Sequence, residues 1–374
     1  MKPDRSFPTR NSLLSNFPAA LRVALVGCLI AGALMVLPAG CSTTGATSRA
    51  SRVAANHYCP GTRNEALCRS VAAIRGVNLG NALEGPTEGS WGVTLTEDDF
   101  RIIAEGGFNT VRVPIRWSAH AAVDAPYTVD ETFFQRIDWV LDNARANGLL
   151  AIINMHHYDQ IFQQPFDHDD RFVAIWQQIA ERYADRPDSE VWFEPLNEPN
   201  GALSQSIWEP LVARTIDVIR TTNPTRPIVV GGADWNAFRS LFGLDLPDDP
   251  NIVLTFHYYL PFEFTHQGAE WQSGMNRYLG TTWEGTVDER GQINRHFDYA
   301  MSVAGDMGYP VLLGEFGAYS KAPLESRGRW TEAVARSAEA HGFGWTYWEY
   351  RSGFGVYDRS HRDWVEPIYR ALLP

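Results

Sequence analysis

Short apolar runs alternate eight times with longer amphipathic stretches between Ile74 and the C-terminus. The apolar runs have the length and composition of buried strands, and the longer stretches repeat their apolar residues at the helical spacing. The pattern therefore predicts strands at Ile74–Leu79, Thr110–Ile115, Leu149–Met155, Glu190–Glu194, Pro227–Gly231, Ile252–His257, Val311–Phe316 and Gly344–Trp348.

The helices predicted between these strands each carry one apolar face. They are Glu97–Gly106, Asp130–Asn147, Arg171–Ala184, Ile207–Thr222, Asn294–Met307, Glu325–His341 and Trp364–Leu373. The helix expected after Trp235 has the weakest pattern of the set.

Strands that alternate with helices at this spacing form parallel sheets with crossover helices. Eight such units predict a closed (β/α)8 barrel of the TIM type, with an open doubly wound sheet as the alternative. No G-x-G-x-x-G motif and no phosphate-binding Gly-Lys loop follows any strand, which counts against the open sheet. The composition does not change after Ala73, so residues 74–374 are interpreted as one domain.

Residues 1–41 have the pattern of an export signal rather than of a folded element. Basic residues precede the apolar run Val23–Leu37, which is short for a membrane-spanning helix. The sequence Leu37–Cys41 resembles the cleavage box of bacterial lipoproteins, with Cys41 as the lipidated residue, although Pro38 departs from the usual aliphatic residue. We expect an extracellular, periplasmic or outer-membrane bacterial protein, attached to a membrane only through a lipid on Cys41; plain secretion is the alternative.

Residues 42–73 are predicted to form a tether and an N-terminal extension. Small and polar residues from Ser42 to about Ala55 are typical of a flexible linker. Cys59 and Cys68 flank a Pro-Gly turn in an exported chain, a setting in which disulfides form and persist. We expect a bridge between them, worth roughly 2–3 kcal/mol at most in the loop-entropy model. Two free thiols are the alternative.

Composition and charge narrow the range of partners. The chain of 374 residues is 44% hydrophobic and 20% charged, which is typical of a globular protein with one large core. Its net charge is −12 and it has no basic run or stripe, so neither nucleic acid nor an anionic polysaccharide is an expected partner. The 13 Trp, 14 Tyr and 19 Phe residues suit a surface that stacks on flat apolar rings, although most aromatic residues fill cores.

The segment Glu190–Asn200 contains the first candidate catalytic residue. Its apolar run Val191–Phe193 is long enough for one buried strand, and Pro195, which lacks an N–H, is expected to end that strand. Glu198 would then lie at a strand tip, on the catalytic face of a (β/α)8 barrel. The alternative is that Glu198 caps the helix predicted after Ser204, or is only solvated.

Polar and aromatic residues gather at the C-terminal ends of the predicted strands. They are Asn78, Asn81, Glu84, Arg112, Arg116, His156, His157, Asn197, Glu198, Asp234, Trp235, His257, Tyr259, Glu315, Trp348 and Glu349. Alone, His156 would more often be a hydrogen-bonded structural histidine and Arg112 a buried ion-pair partner. Because the carboxyl ends of the strands meet at one rim of a barrel, we expect the set to surround one site.

Glu315 is a second carboxylate at a strand end, flanked by glycines that admit close approach. Two facing carboxylates are the apparatus of glycoside hydrolysis, in which one acts as acid/base and the other as nucleophile. The charge of Glu315 should raise the pKa of Glu198, and Arg112 should keep Glu315 anionic. We expect the carboxyl groups to lie about 5–5.5 Å apart, the geometry of retention, whereas about 6.5–9.5 Å would indicate inversion.

The chain resembles glycoside hydrolase family 5 in eight motifs that occur in register from Ile74 to the C-terminus. They are Gly76–Glu84, Val111–Ser118, Asn154–Tyr158, Asn197–Pro199, His257–Tyr259, Phe264–Trp271, Gly314–Phe316 and Tyr347–Glu349. The set is most similar to bacterial endo-β-1,4-glucanases, some of whose relatives also cleave β-mannans.

The resemblance implies a role for each matching residue. Glu198 matches the acid/base and Glu315 the nucleophile. The matches to supporting groups are Asn197 for the sugar 2-hydroxyl, Arg112 for an electropositive nucleophile environment, and His257 and Tyr259 for orienting the acid/base and the nucleophile. The matches to sugar contacts are His156 and Trp348 in the −1 subsite and Asn81, Glu84, His157, His266 and Trp271 in flanking subsites.

Two features depart from the resemblance or fall outside it. Leu260 stands where the family pattern leads us to expect an amide, and the extension with Cys59 and Cys68 has no counterpart in it. The run Asp167–Asp170 has a composition that could bind metal, but a solvated helix N-terminus explains its acids better. No metal and no cofactor is expected.

The sequence therefore predicts a monomeric retaining endo-β-1,4-glucanase, a cellulase, acting on β-1,4-linked polysaccharide or oligosaccharide. A β-mannanase or a dual glucan/mannan hydrolase is the alternative, because the two polymers differ at one sugar stereocentre. A non-catalytic carbohydrate-binding barrel is a third class, but it would have no need of both Glu198 and Glu315. A metal-dependent barrel isomerase or hydrolase is a fourth, distinguished by sensitivity to chelators.

Overall fold

The computed structural model describes Cys59 and residues 61–374 of the chain. The predicted export signal, its candidate lipid site Cys41 and the tether from Ser42 to about Ala55 lie outside the described residues. Within the described part, no helix combines the length and the apolar character needed to cross a membrane.

Eight parallel strands close into a barrel in the order in which they occur along the chain. They are β1 (Arg75–Asn78), β2 (Thr110–Val113), β3 (Leu150–Asn154), β4 (Val191–Glu194), β5 (Ile228–Val230), β6 (Ile252–Tyr258), β7 (Val311–Phe316) and β8 (Gly344–Tyr347). Because β8 pairs back with β1, the sheet has no open edge. The predicted (β/α)8 barrel is confirmed, and the open doubly wound sheet is excluded.

Helices surround the barrel and follow its strands. They are α1 (Glu65–Ala72), α2 (Glu97–Glu105), α3 (Glu131–Ala146), α4 (Asp159–Gln163), α5 (Pro165–Arg182), α6 (Gln205–Arg220), α7 (Phe262–Thr265), α8 (Val287–Met307), α9 (Leu324–Ala340) and α10 (Glu366–Leu372). Short 3₁₀ helices lie at Trp117–Ala119, Phe238–Leu241 and Met275–Tyr278, and a two-stranded ribbon pairs β9 (Tyr357–Asp358) with β10 (Asp363–Trp364).

Three of the predicted helices differ from the observed ones for local reasons. The helix predicted from Arg171 begins at Pro165, since proline suits the first position of a helix. Helix α8 begins earlier than predicted because Thr286 and Glu289 form a capping box. After β5, where the helical pattern was weakest, the chain forms only the 3₁₀ helix Phe238–Leu241.

The N-terminal extension contains a helix, α1, that the sequence pattern did not predict. The Asn64 side chain starts it by accepting a hydrogen bond from the N–H of Leu67. Leu67 and Val71 pack against interior side chains of the barrel, namely Ile152, Trp192, Val229, Val253 and Leu312. Cys59 and Cys68 form a disulfide that ties the preceding chain to α1. Helix α1 therefore closes the end of the barrel opposite the predicted site.

A register shift between β6 and β7 aligns two residues of the site. Phe256 pairs with Leu313, but the next pair is His257 with Glu315, so Gly314 is skipped. A Cβ on Gly314 would lie 2.6 Å from a neighbouring threonine hydroxyl and 3.1 Å from Nε2 of His257. The irregularity thus depends on glycine, and it brings His257 and Glu315 side by side.

Candidate active site

The C-terminal ends of the strands surround one cavity of about 1100 Å³. The predicted residues that line it are Asn81, Glu84, His156, His157, Asn197, Glu198, His257, Tyr259, His266, Trp271, Glu315 and Trp348. The side chain of Arg112 is fully buried behind the cavity wall, where it contacts Asn197 and Glu315. The fold thus brings together all the residues that the sequence predicted for catalysis or sugar binding.

Every N–H group of the Arg112 guanidinium has an acceptor, five in all. Nε and Nη2 form a bidentate pair with the two carboxylate oxygens of Glu194, at 2.7 Å each. Nη1 donates to Glu315 Oε1 at 2.7 Å and to Asn78 Oδ1 at 2.8 Å, and Nη2 donates to Asn197 Oδ1 at 2.7 Å. One buried cation therefore fixes side chains from β1, β4, β7 and the loop after β4.

Glu315 receives a hydrogen bond on each carboxylate oxygen. Arg112 donates to Oε1, and the hydroxyl of Tyr259 donates to Oε2 at 2.8 Å. Burial raises the pKa of Glu315 above its ordinary value, and the charge of Glu198 adds to that rise. The charge of Arg112 and the hydrogen bond from Tyr259 act in the opposite direction, in favour of the carboxylate.

Glu198 lies in a turn after β4 and not at the start of the next helix. Strand β4 ends at Glu194, as Pro195 predicted, and α6 begins only at Gln205. The φ of Glu198 is 48°, a left-handed conformation that residues other than glycine seldom adopt. The side chain of Asn200 supports this turn by donating to the carbonyl oxygen of Glu198 at 2.7 Å. The carboxyl group lines the cavity, so the interpretation of Glu198 as a helix cap is wrong.

One histidine holds the carboxyl group of Glu198, whose Oε1 lies 2.6 Å from Nδ1 of His257. Burial raises the pKa of Glu198 to about 7, while the charge of Arg112 lowers it and the charge of Glu194 raises it further. Burial lowers the pKa of His257 to about 4. Near neutral pH, therefore, Glu198 is poised between its two protonation states beside an uncharged imidazole.

The two candidate catalytic carboxyl groups are close together. The oxygens with which Glu198 and Glu315 face each other, and Nδ1 of His257, all lie within 4.8 Å of one another. An inverting site needs a gap of about 6.5–9.5 Å to admit a water between its carboxyl groups. The facing oxygens lie closer together than that gap, which favours retention over inversion.

Within the described residues, Glu198, His257 and Glu315 are also the one group of His, Cys, Asp or Glu side chains spaced to hold a metal ion. The run Asp167–Asp170 lies in the first turns of α5, and its last two acids pair with Arg214 at 3.4 and 3.1 Å. These contacts agree with the interpretation of that run as a helix N-terminus.

Stacked rings and two further buried acids form the wall near β1 and β8. Trp348 and His156 lie nearly parallel, with ring centroids 5.4 Å apart and 9° between the planes. Asn81 Nδ2 donates to Glu349 Oε2 at 2.9 Å, while the backbone N–H groups of Asn81 and of the next residue donate to Glu84. Burial raises the pKa of Glu84 to about 8 and that of Glu349 to about 7. Both acids therefore stay protonated at pH values at which an ordinary glutamate is ionised.

Exposed tryptophans stand around the rim of the cavity. Trp91, Trp235 and Trp271 all line it, and they are 42%, 55% and 60% exposed. Trp271 also packs edge-on against Tyr319, with ring centroids 4.8 Å apart. Flat apolar faces at three places on an open rim suit a chain of rings that extends beyond the cavity.

Some residues contribute to the site without a role predicted from the sequence. Trp235 and Glu349 were placed at strand ends and do line the cavity. Glu194 was not identified at all, although it follows Trp192 at the two-residue period of a strand and so faces the barrel interior. Leu260 lines the cavity where an amide was expected, so that contact is apolar in this chain.

Comparison with known proteins agrees with the fold. The family model described as cellulase (glycosyl hydrolase family 5) matches residues 72–353. Endoglucanase H of Acetivibrio thermocellus is 36% identical over 305 residues, which are 80% of this chain but 32% of that protein. Cellodextrinase A of Ruminococcus flavefaciens is 29% identical over 288 residues, 74% of this chain and 85% of that protein. The chain thus spans about a third of the length of the first of these relatives.

Solved structures match over nearly their whole length. The endoglucanase Cel5A of Thermotoga maritima is 43% identical with a TM-score of 0.80, and the match covers 82% of this chain and 99% of that one. The cellulose synthase subunit Z of Clostridioides difficile is 38% identical with a TM-score of 0.78, covering 80% of this chain and 99% of that one.

Replacing Arg112 by Met is expected to lower the free energy of unfolding by about 3–5 kcal/mol, because Glu194 and Glu315 would remain buried without their cation. Urea unfolding of the wild type and the variant at pH 7 measures the difference. The control Arg101→Met removes an exposed arginine that pairs with two acids on α2 and should change stability little. Equal losses in the two variants would show that the Arg112 network does not stabilise the fold.

Proposed function

The chain belongs to glycosyl hydrolase family 5, and on that basis we propose that it is a retaining endo-β-1,4-glucanase, a cellulase. The observation that carries the proposal is the pair Glu198 and Glu315, whose facing oxygens lie within 4.8 Å in an open cavity lined by aromatic rings. Their surroundings differ in the way that a double displacement requires. Glu198 contacts a neutral histidine, whereas Glu315 contacts a permanent cation.

In the first step, Glu198 donates its proton to the glycosidic oxygen while Glu315 attacks the anomeric carbon. The bond from that carbon to the leaving oxygen breaks, and an ester bond to Glu315 forms. The pKa of Glu198, about 7, keeps a proton available near neutral pH. The ester removes the negative charge of Glu315, so the pKa of Glu198 should then fall and the carboxylate can act as a base.

In the second step, the Glu198 carboxylate takes a proton from water, and the resulting hydroxide attacks the anomeric carbon. The ester bond breaks and returns Glu315 to its carboxylate form. Arg112 and Tyr259 each donate a hydrogen bond that stabilises this carboxylate. Two inversions at one carbon give a product with the configuration of the substrate.

The supporting residues act by holding groups in fixed orientations. Asn197 accepts from Arg112 through Oδ1, which leaves its Nδ2 as the donor for a sugar 2-hydroxyl. His257 orients Glu198, and Tyr259 orients Glu315. We assign His156 and Trp348 to the −1 subsite, because their stacked rings provide a flat wall beside both carboxyl groups.

The flanking sugar contacts are assigned to residues that line the same cavity farther from the carboxyl pair. They are Asn81, Glu84, His157, His266 and Trp271. The exposed rim tryptophans and the open mouth support binding in the middle of a polymer, that is, endo cleavage. One chain supplies both carboxyl groups and the cavity walls, so we expect a monomer; light scattering of the mature protein would reveal a larger assembly.

Mannan or glucomannan is the second candidate substrate. The Thermotoga maritima Cel5A, which is 42–43% identical to this chain, has been solved both with cellobiose and with mannotriose. Glucan and mannan share the β-1,4 linkage and present similar ring faces to a stacking wall. The same cavity could therefore accept both polymers.

Carboxymethylcellulose is expected to lose viscosity rapidly for each reducing end formed, because cleavage in mid-chain shortens the polymer most. A panel with lichenan, glucomannan and mannan, read by viscosity and by reducing ends, ranks the substrates. Activity on aryl monosaccharides alone would contradict the endo assignment. Loss of activity after dialysis against EDTA, restored by a divalent ion, would favour a metal-dependent hydrolase instead.

The two glutamates should respond differently to truncation. Glu198→Ala should lose most activity on polysaccharide, because an alkoxide sugar leaves poorly without a proton donor. An aryl cellobioside with an acidic phenol leaves without that proton, so its first step should survive and the second become limiting. Azide, which needs no general base, should restore turnover and give a β-glycosyl azide by proton NMR. Glu325→Ala, at an exposed position on α9, controls for general effects.

Glu315→Ala should fail on both substrates, because no nucleophile remains. Any rescue by azide should give an α-glycosyl azide, since azide would then occupy the place of the carboxylate and invert the centre once. An identical response of the two variants to leaving group and azide would refute the role assignment, and a reversed pattern would exchange the two roles.

We also propose that the protein is exported from a bacterial cell and carries a lipid on Cys41. The basic and apolar pattern of residues 1–41 supports export, and the disulfide between Cys59 and Cys68 suits an oxidising compartment. In a bacterial host, radiolabelled palmitate should enter the wild type but not Cys41→Ala, and only the wild type should partition into detergent. Wild-type protein that is secreted but carries no label would support export and refute the lipid on Cys41.

A further inference from the structure

Glu194 has no role in the proposed mechanism, although it is the bidentate partner of the buried cation Arg112. It is the last residue of β4, and its side chain is 1% exposed. Both of its oxygens accept from Arg112 at 2.7 Å. It lies at the end of the strand that leads directly into the turn with Glu198.

Titratable and charged groups from every strand end line the cavity with Glu198 or lie buried behind its wall. Those that line it are Glu84 after β1, His156 and His157 after β3, Asp234 and Arg239 after β5, His257, Tyr259 and His266 on and after β6, Glu315 and Tyr319 on and after β7, and Glu349 after β8. Arg112 on β2 and Glu194 on β4 are buried behind the wall. Arg112 favours the ionised form of Glu198, and Glu194 opposes it. Glu194 thus offsets the cation that it holds.

The sum of the buried charges explains why this offset matters. With Glu194 and Glu315 as carboxylates and Arg112 as a cation, the cluster carries one net negative charge before Glu198 ionises. Ionisation of Glu198 then adds a second negative charge beside a cluster whose charges are buried. Without the charge of Glu194, Glu198 would ionise next to a cluster that is neutral.

Glu194 also determines the direction of the remaining Arg112 donors. A bidentate pair fixes both the plane and the rotation of a guanidinium. In that orientation Nη1 points to Glu315 and the second hydrogen of Nη2 points to Asn197. A neutral amide in place of Glu194 could accept from only one side of the fork.

We propose that Glu194 is a positioning residue that keeps the proton on Glu198 by offsetting the charge of Arg112, and that it orients Arg112 between Asn197 and Glu315. The kinetic part of this inference rests on the proposed function. The electrostatic part can be measured without any substrate.

Glu194→Gln should move the alkaline limb of kcat/KM on a β-1,4-gluco-oligosaccharide to lower pH by about 1 unit or more, because Glu198 would lose its proton more easily. An aryl cellobioside with an acidic phenol needs no proton in its first step, so its kcat/KM should show no such shift. A purely structural role would lower kcat at every pH and leave the limb in place, which would overturn the proposal.

Two further variants separate charge from shape. Glu194→Asp keeps the charge and shortens the reach, so kcat should fall while the alkaline limb stays at the wild-type pH. A limb that moves in Glu194→Asp would assign the effect to geometry and overturn the proposal even if the Gln variant does not fold. Asp249→Asn is the control. Asp249 lies before β6, at the other end of the barrel, and accepts a hydrogen bond from Arg220, so its replacement should leave the alkaline limb unchanged.

Direct titration distinguishes failure of this inference from failure of the proposed function. In protein labelled with ¹³C at the glutamate carboxyl carbons, the Glu198 signal is identified by its loss in Glu198→Gln. Its pKa should be lower in Glu194→Gln than in the wild type by about 1 unit; equal values would overturn the inference. If that difference appears but the wild type cleaves no β-1,4-glucan or mannan, the proposed function is wrong and the role of Glu194 stands.

Discussion

A fully buried guanidinium determines the arrangement of the active end of this barrel. A charge without access to water is tolerated only when it is countercharged and hydrogen-bonded, and Arg112 meets that requirement with five acceptors. Those acceptors come from three strands and a loop, so each fixes the others through the shared cation. The geometry of Glu315 and Asn197 is therefore a consequence of how a charge is buried.

Much of this arrangement could be predicted from the sequence, because the relevant signals are local and repeated. Alternation of apolar strands and amphipathic helices occurs eight times, and a closed parallel barrel is the architecture that it fits best. In such a barrel, residues that follow strands meet at one rim, which is why the sequence alone predicts that His156, Glu198 and Glu315 lie together. Pro195 marked the end of β4 for a simple reason, the missing N–H.

The parts that were not predicted depend on contacts between distant segments. Helix α1 has only eight residues, and its apolar side chains Leu67 and Val71 are buried only because they pack against interior side chains of the barrel. The skipped residue at Gly314 depends on the neighbouring strand β6. Glu194 was missed because a carboxylate inside a barrel contradicts the apolar pattern of a buried strand until its partner Arg112 is known. In each case the sequence carried a weak signal whose interpretation required the tertiary contact.

The exposed tryptophans and the buried cluster differ in their freedom to change over evolutionary time. Trp91, Trp235 and Trp271 are 42–60% exposed, so replacing one of them removes little core packing. Any change in the Arg112 cluster, in contrast, endangers folding as well as chemistry. Selection can thus reshape the rim one mutation at a time while the reacting groups are inherited intact. A protein of this architecture can therefore change its rim contacts while it keeps its reacting groups, which accords with a fold that supports many related specificities.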